Sequence, residues 1–403
     1  MHLSQAEYYS QAHLVPKSLN KWRFCLDYRN LNIAVKGMGW PIPNIQQMLR
    51  RLGDYKSHYY AKMDLTSGYH QAPLAPQSRK YTAFITFMGV FEWLRAPMGL
   101  KSATSWFQGC LASIVLAGLI YFICELYVDD VIVHGKTKEE FLHNLEEVFK
   151  RFKKFNLIVS PTKKYVGMSD IEFVGHTINQ DGITFSREKI DKVLEIPEPI
   201  LSLELKKFLG VTGYFHEHIR NYAEITRPLQ QMVHDYERKR KLVWTEEGKI
   251  SFEKIKQAIN DCPTLFFLDD ISPIFLQTDA SDYGIGGYLF QIVNGKEIPI
   301  AFISKMLSEV ESRWNTTEKE AYAILFSLKK LEYLIRDRTF TLRTDHKNLT
   351  YIDKESSAKV RRWKLVVQEY EFFIEHISGV KNVVADGFSR ILMLTEEMLH
   401  LHV

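Results

Sequence analysis

The tetrapeptide Tyr127-Val128-Asp129-Asp130 sits between two apolar, strand-like runs, Tyr121 to Val128 and Val131 to Val133. Adjacent ionised carboxylates in so hydrophobic a setting repel each other unless a cation lies between them. A tight hairpin that presents both to a divalent metal meets that constraint. Paired metals about 4 Å apart stabilise the attacking and leaving oxygens of an in-line phosphoryl displacement. Asp64, which ends another apolar strand, supplies a further carboxylate. The expectation is the chemistry of a nucleotide polymerase.

Length and composition bound this reading. A chain of 403 residues is long for one domain and suits two to four modules. With 46% hydrophobic and 13% aromatic residues it can bury real cores. A formal net charge of +4 does not by itself identify a nucleic-acid binder. Cys25, Cys110, Cys124 and Cys262 lack CxxC pairs and zinc-ligand spacing, which points to core packing in a reducing compartment. Met1 to Gln11 does not resemble a secretory signal. The apolar run Cys110 to Cys124 is shorter than a membrane span and reads as a buried helix turning at Gly118 into a strand. The chain is therefore expected to be cytoplasmic and neither secreted nor membrane-bound.

Strand and helix patterns alternate in the first part. Strands are expected over Trp22 to Tyr28 and Tyr59 to Asp64, and helices over Ile42 to Leu52 and Lys101 to Ala117. After Glu139, residues Leu142, Leu145, Val148, Phe149 and Phe152 recur at helical spacing. Lys150, Arg151, Lys153 and Lys154 then form a solvated basic face. A strand is expected through Ile171 to Ile178, and Pro197-Glu198-Pro199 marks a boundary. Leu201 to Gln231 reads as mainly helical, with a turn or close helix contacts at Gly210 and Gly213. Beyond Pro263 come three short strands, Ile274 to Thr278, Gly286 to Gln291 and Ile298 to Ile303, then a helix from Glu318. That order signals a second α/β domain.

A second set of carboxylates lies in this last third: Asp279, Glu320, Asp345 and Asp386. Each also has a local explanation. Thr317 and Glu320 have capping-box spacing, and Asp345 and Asp386 suit helix N-caps. Asp64, before Thr66-Ser67-Gly68, likewise suits a turn. Grouped, the carboxylates would suit magnesium, which takes oxygen ligands completed by water and substrate phosphates.

Ordered motifs decide between these explanations. Lys62-Met63-Asp64-Leu65-Thr66-Ser67-Gly68-Tyr69-His70-Gln71, Tyr81-Thr82-Ala83-Phe84, Met98-Gly99-Leu100, Trp106-Phe107-Gln108, Tyr127-Val128-Asp129-Asp130 and Phe173-Val174-Gly175-His176 together resemble the reverse transcriptase of gypsy-type long-terminal-repeat retrotransposons. The order Asp, Glu, Asp, Asp resembles the ribonuclease H domain of the same Pol polyproteins. The likeness runs from about His13 to Arg390.

The resemblance implies a multidomain α/β and α+β chain, a right-hand polymerase of fingers, palm and thumb followed by a ribonuclease H-like domain. Fingers and palm would occupy residues 1–185, the thumb 186–240, a connection 241–272, the ribonuclease 273–391 and a tail 392–403. Asp64, Asp129 and Asp130 would hold one pair of Mg2+ ions, and Asp279, Glu320, Asp345 and Asp386 another, with Mn2+ as a substitute. Arg23, Tyr69 and Gln108 would meet the incoming nucleotide, Tyr69 as the gate against a ribose 2′-hydroxyl. Independently of the resemblance, the Arg23 guanidinium matches phosphate geometry. Phe173, Val174, Gly175 and His176 would grip the primer, and Lys163 and Lys164 are candidates for protonating pyrophosphate. His376 would be a mobile-loop histidine serving the nuclease. Lys359, Arg361, Arg362 and Lys364, interleaved with Trp363, could track a nucleic-acid backbone.

The implied partners are an RNA template, a DNA primer, RNA/DNA hybrid and deoxynucleoside triphosphates, in cytoplasmic retroelement particles; a homodimer is admitted by analogy. The likeness starts inside the fingers, with Ser18-Leu19-Asn20 where an Asp-Gly turn is usual. That leaves two alternatives standing, a domesticated remnant that binds nucleic acid without polymerising, and a chain active only as a ribonuclease.

Overall fold

A computed structural model describes residues 1–17, 21–234, 241–345 and 358–377. The chain divides into two compact units, Met1–Asp181 and Gly182–Val403.

The first unit contains β1 (His2–Leu3), β2 (Ser10–Lys17), β3 (Lys21–Asp27), α1 (Arg29–Ala34), α2 (Ile45–Asp54), β4 (Tyr59–Leu65), α3 (Pro76–Arg79), β5 (Phe84–Thr86), β6 (Gly89–Glu92), α4 (Ala103–Cys110), β7 (Cys124–Tyr127), β8 (Asp130–Gly135), α5 (Lys138–Lys154), β9 (Val159–Met168), β10 (Ile171–Phe173) and β11 (His176–Ile178). One sheet has the order β1-β6-β5-β2-β3 and the other β7-β8-β4-β9. Within the second sheet every pairing is antiparallel.

That second sheet carries the core. Ala61, Met63 and Leu65 of β4 and Val131 and Val133 of β8 are buried against Phe107 and Leu111 on one helical run and Phe141, Leu145, Val148 and Phe152 of α5. Of the stripe expected on α5, Leu145, Val148 and Phe152 are buried, whereas Leu142 and Phe149 are exposed and Phe141 takes the buried face instead. The helix N-cap Thr137 accepts a hydrogen bond from the Glu140 N–H, Glu139 and Glu140 occupy the first turn, and Arg151, Lys153 and Lys154 the last. Both charge placements oppose the helix dipole. Lys150 pairs with Glu146 and Glu147 on the solvated face.

Two sequence expectations are corrected here. The helix predicted over Lys101 to Ala117 is regular only to Cys110 and continues as a wide π turn over Leu111–Val115 before Gly118, at φ +77°, reverses the chain. The strand predicted through Ile171 to Ile178 is a hairpin. Val174 (φ +44°) and Gly175 (φ +86°) both take left-handed backbone, the two-residue turn that matches strand twist, so β10 folds back on β11.

The second unit contains β12 (Gly182–Thr184), α6 (Arg187–Leu194), α7 (Ser202–Thr212), α8 (Tyr222–His234), α9 (Glu246–Asn260), β13 (Leu265–Phe266), β14 (Ile274–Ala280), β15 (Gly284–Val293), β16 (Lys296–Met306), α10 (Glu309–Ser312), α11 (Thr316–Ile335), β17 (Phe340–Thr344), α12 (Ala358–Val367) and β18 (Phe372–His376). Its helices α6 to α9 share one core, in which Leu205 and Phe208 meet Leu229, Phe252, Ile255 and Ile259. A 3-10 turn over Gly213–His218 separates α7 from α8, as the glycine placement suggests.

The following sheet has the order β16-β15-β14-β17-β18, antiparallel through β14 and parallel from β14 to β18. Leu276, Leu289 and Leu342 on one face bury against Ala321, Ile324, Leu328 and Leu331 of α11. Gly287 admits this approach, because a Cβ there would lie 2.6 Å from the Ser327 hydroxyl. No described helix is long and apolar enough to cross a membrane.

Candidate active sites

In the first unit the register of β4 and β8 sets Asp64 directly opposite Asp130. Tyr127 pairs with Asp130, leaving Val128 and Asp129 as a two-residue hairpin turn. Val128 has φ +59°, a conformation that a β-branched side chain resists. A buried glutamine compensates: Gln108 of α4 is 2% exposed, and its Oε1 accepts the Val128 N–H at 2.6 Å. The helix thus fixes the turn that carries the carboxylates. Gly68 closes over it, since a Cβ there would come within 3.6 Å of the Asp129 Cβ and 3.1 Å of the Phe107 ring.

Gln108 is enclosed beneath the turn, and its side-chain oxygen is taken by backbone. Its role was invisible in sequence because the acceptor and the N–H are 20 positions apart. Tyr69 packs on Phe107, ring centroids 5.1 Å apart, with its hydroxyl 3.2 Å from the Thr104 hydroxyl. Arg23 is exposed on β3 opposite Val15. Phe173 and His176 are buried and flank the Val174-Gly175 turn. Lys62 lies 3.6 Å from the Asp130 carboxylate, a neighbour the sequence reading did not single out. The side chains of Lys163 and Lys164 lie outside the described residues.

The second set converges more tightly. β14 and β17 run parallel, so their C-terminal ends bring Asp279 and Asp345 together, and α11 adds Glu320. One ligand oxygen from each lies within 4.8 Å of the others; among the described residues no other His, Cys, Asp or Glu set is grouped this closely. Glu320 is not a cap: α11 starts at Thr316 and is capped by Asn315, which accepts from the Glu318 N–H. Instead Glu320 is 4% exposed, and its Oε2 has no hydrogen-bond partner. Burial, reinforced by Asp279 and Asp345, pushes its carboxyl up to about 9.

A buried acid with an unmatched oxygen, set among other carboxylates, fits a divalent cation, which would supply the missing charge. The donors at the first site, Asp64, Asp129 and Asp130, are likewise all hard oxygens.

His376 ends β18, paired with Thr344, and its Nε2 lies 2.9 Å from the Asp345 carbonyl oxygen. It is therefore on a strand end beside the cluster, not in a loop as expected. Asp386 lies outside the described residues. The late basic patch is partly spoken for, since Lys359 stacks on Trp314 at 3.7 Å and pairs with Glu318, whereas Arg361 and Arg362 are exposed.

The geometry gives one tight group of three carboxylates and one pair of aspartates facing each other across two strands. Comparison with known proteins supplies the family. Residues 15–178 match the family described as reverse transcriptase (RNA-dependent DNA polymerase), and residues 269–370 match the RNase H-like domain found in reverse transcriptase. The retrovirus-related Pol polyprotein from transposon 297 of Drosophila melanogaster is 35% identical over 96% of this chain and 36% of its own length. The transposon Tf2-3 polyprotein of Schizosaccharomyces pombe is 32% identical over 95% of this chain and 29% of its own.

A foamy viral protease-reverse transcriptase in complex with double-stranded DNA superimposes with TM-score 0.79 at 25% identity, over 93% of this chain and 67% of that one. The same kind of protein in complex with an RNA/DNA hybrid gives 0.76 at 25% identity, over 92% and 51%. The chain belongs to the reverse transcriptase and ribonuclease H region of the long-terminal-repeat retrotransposon Pol polyproteins. It spans just over a third of the transposon 297 relative.

Proposed function

We propose that this chain is an RNA-directed DNA polymerase and a ribonuclease H, copying retroelement RNA into DNA at the first site and cutting the RNA strand of the resulting hybrid at the second. The observation that carries the reading is the pairing, in one chain that matches both families, of the Asp64–Asp130 juxtaposition with the Asp279, Glu320 and Asp345 group.

Asp64, Asp129 and Asp130 hold Mg2+ for the polymerase, and Asp279, Glu320 and Asp345, joined by Asp386, hold it for the nuclease. Mn2+ serves as a substitute. When bound, such metals stabilise charge on the attacking and leaving oxygens. The protein's part is positioning. Gln108 fixes the turn under Asp129, Arg23 meets the triphosphate, and Tyr69, braced by Phe107 and Thr104, stands under the incoming sugar. The Phe173–His176 hairpin holds the primer end. His376 assists proton movement or product release beside Asp345.

The partners are template RNA, DNA primer, RNA/DNA hybrid and deoxynucleoside triphosphates, within retroelement particles and with a homodimer as one working form. Foamy viral relatives in complex with double-stranded DNA and with RNA/DNA hybrid support the nucleic-acid partners. We assign fingers and palm to 1–185, thumb to 186–240, connection to 241–272 and ribonuclease to 273–391.

The test is direct. Purified protein with Mg2+, a DNA-primed RNA template and deoxynucleotides is expected to extend the primer and to shorten the RNA of a preformed hybrid. Cleavage without extension would reduce the function to the nuclease; binding without either reaction would leave a non-catalytic remnant.

A further inference from the structure

We propose that Arg227, on helix α8, is a positioning residue for the Asp279–Glu320–Asp345 cluster, acting through the turn that joins β14 to β15. The inference rests on the reading of that cluster as the nuclease metal site.

Asp279 is followed by Ala280, and the chain then turns through Ser281, Asp282 and Tyr283 into β15. The turn is held from two directions. From one side the Arg227 guanidinium lies over the Tyr283 ring, 3.5 Å from its centroid. From the other side the Asp282 carboxylate accepts a 2.7 Å hydrogen bond from the Lys319 ammonium. The Lys319 side chain is only 7% exposed, and it immediately precedes Glu320 on α11. A line of contacts thus runs from α8 to Tyr283 and Asp282, and on to Lys319. Its middle is the turn that follows Asp279, and its Lys319 end adjoins Glu320.

The first turn of α8 is itself anchored on the same sheet. The Ala223 N–H donates to the Ser304 hydroxyl at 3.0 Å, and Asn221, Ala223 and Glu224 share a cleft with Asp279 and Ser281. Gly286, opposite Asp279, admits this approach: a Cβ there would lie 3.1 Å from the Asn221 side-chain oxygen. Within the turn, the Ser281 hydroxyl accepts from the Gly284 N–H at 3.0 Å, fixing its shape locally. What the local bond cannot fix is the height of the turn relative to α11. The Lys319 ion pair ties the turn to α11, and the Arg227 stack ties it to α8.

Groups that orient metal ligands without touching the metal commonly change metal affinity or activity by about 10- to 100-fold when removed. A cation seated on an aromatic face is a directional contact of this kind. Arg227 is therefore expected to act on the separation of Asp279 and Glu320, not on the nucleic acid.

The test uses the full chain carrying Asp64→Asn and Asp129→Asn, so that calorimetric titration with Mn2+ reports the second cluster. Arg227→Ala and, independently, Asp282→Asn are expected to weaken Mn2+ binding about tenfold. Both should lower kcat for hybrid cleavage with little change in KM, while Arg227→Lys, which keeps a cation over Tyr283, restores most of both. Unchanged Mn2+ affinity in Arg227→Ala and Asp282→Asn would overturn the inference, as would a rise in KM alone, which would make Arg227 a hybrid contact. Asp279→Asn separates this from the parent reading. If that variant also binds Mn2+ like its background, the cluster is not a metal site and both ideas fall; if it loses binding while Arg227→Ala does not, only the role of Arg227 falls.

Discussion

The Gln108 side-chain oxygen receives the Val128 N–H at 2.6 Å, so a helix residue holds the strained position of the turn that carries Asp129. Gln108→Leu keeps the bulk but removes the acceptor. The buried N–H is then left unmatched, at a cost of about 1–3 kcal/mol. Chemical denaturation followed by tryptophan fluorescence should show that loss. Primer extension should fall by more than stability alone explains, and hybrid cleavage should be unaffected.

Arg51 forms a two-pronged ion pair with Glu125, at 2.6 and 2.8 Å, and stacks on Tyr121. Glu125 is 1% exposed; burial pushes its acid up, and the Arg51 hydrogen bonds pull it down. Arg51→Ala strands this carboxylate and should destabilise the first unit by about 3–5 kcal/mol. Replacing Glu125 by Gln in the same chain should recover part of the loss, which a double-mutant cycle in urea measures.

Gly135 ends β8 where α5 begins to cover it. A Cβ there would lie 2.7 Å from both the Phe141 N and Cα. Backbone cannot swing aside as a side chain can, so Gly135→Ala should cost about 1–3 kcal/mol through overpacking. Gly210→Ala, where no atom lies within 4 Å, is the control and should be neutral or stabilising.

Burial holds His134 neutral and pulls its acid dissociation down to about 4 from 6.5, with the Ser57 hydroxyl 3.1 Å from its Nδ1. The unfolded chain binds this proton more readily than the folded one. The contribution to stability is therefore complete above pH 6.5 and is lost as pH falls toward 4, by about 3 kcal/mol over that window. Urea midpoints for the first unit should drop across this range. His134→Gln should flatten the drop while lowering stability at pH 7.

Much of this was legible in the sequence, for identifiable reasons. Asp64 and Asp130 were placed at the ends of neighbouring strands because each adjoins an apolar run, and β8 is buried continuously from Val131 to Gly135. The β14–β16 meander and α11 followed from their patterns. What escaped was set by contacts between distant residues. The bond from the Val128 N–H to Gln108 joins residues 20 positions apart, which no local pattern reveals. Glu320 had capping-box spacing to Thr317, yet the cap is Asn315. The break at Val174-Gly175 had a signal in its glycine that the surrounding apolar residues masked. His376 was given to a loop by the resemblance, and its pairing with Thr344 at the end of β18 is a long-range contact that no local pattern shows.

The central claim is that two independent carboxylate sites perform two different phosphoryl reactions. A single DNA-primed RNA substrate, with both strands labelled, reads both at once. Asp129→Asn is expected to abolish primer extension and leave RNA cleavage intact, and Asp279→Asn to do the reverse. Retention of RNA cleavage in Asp279→Asn, or of extension in Asp129→Asn, would contradict the account.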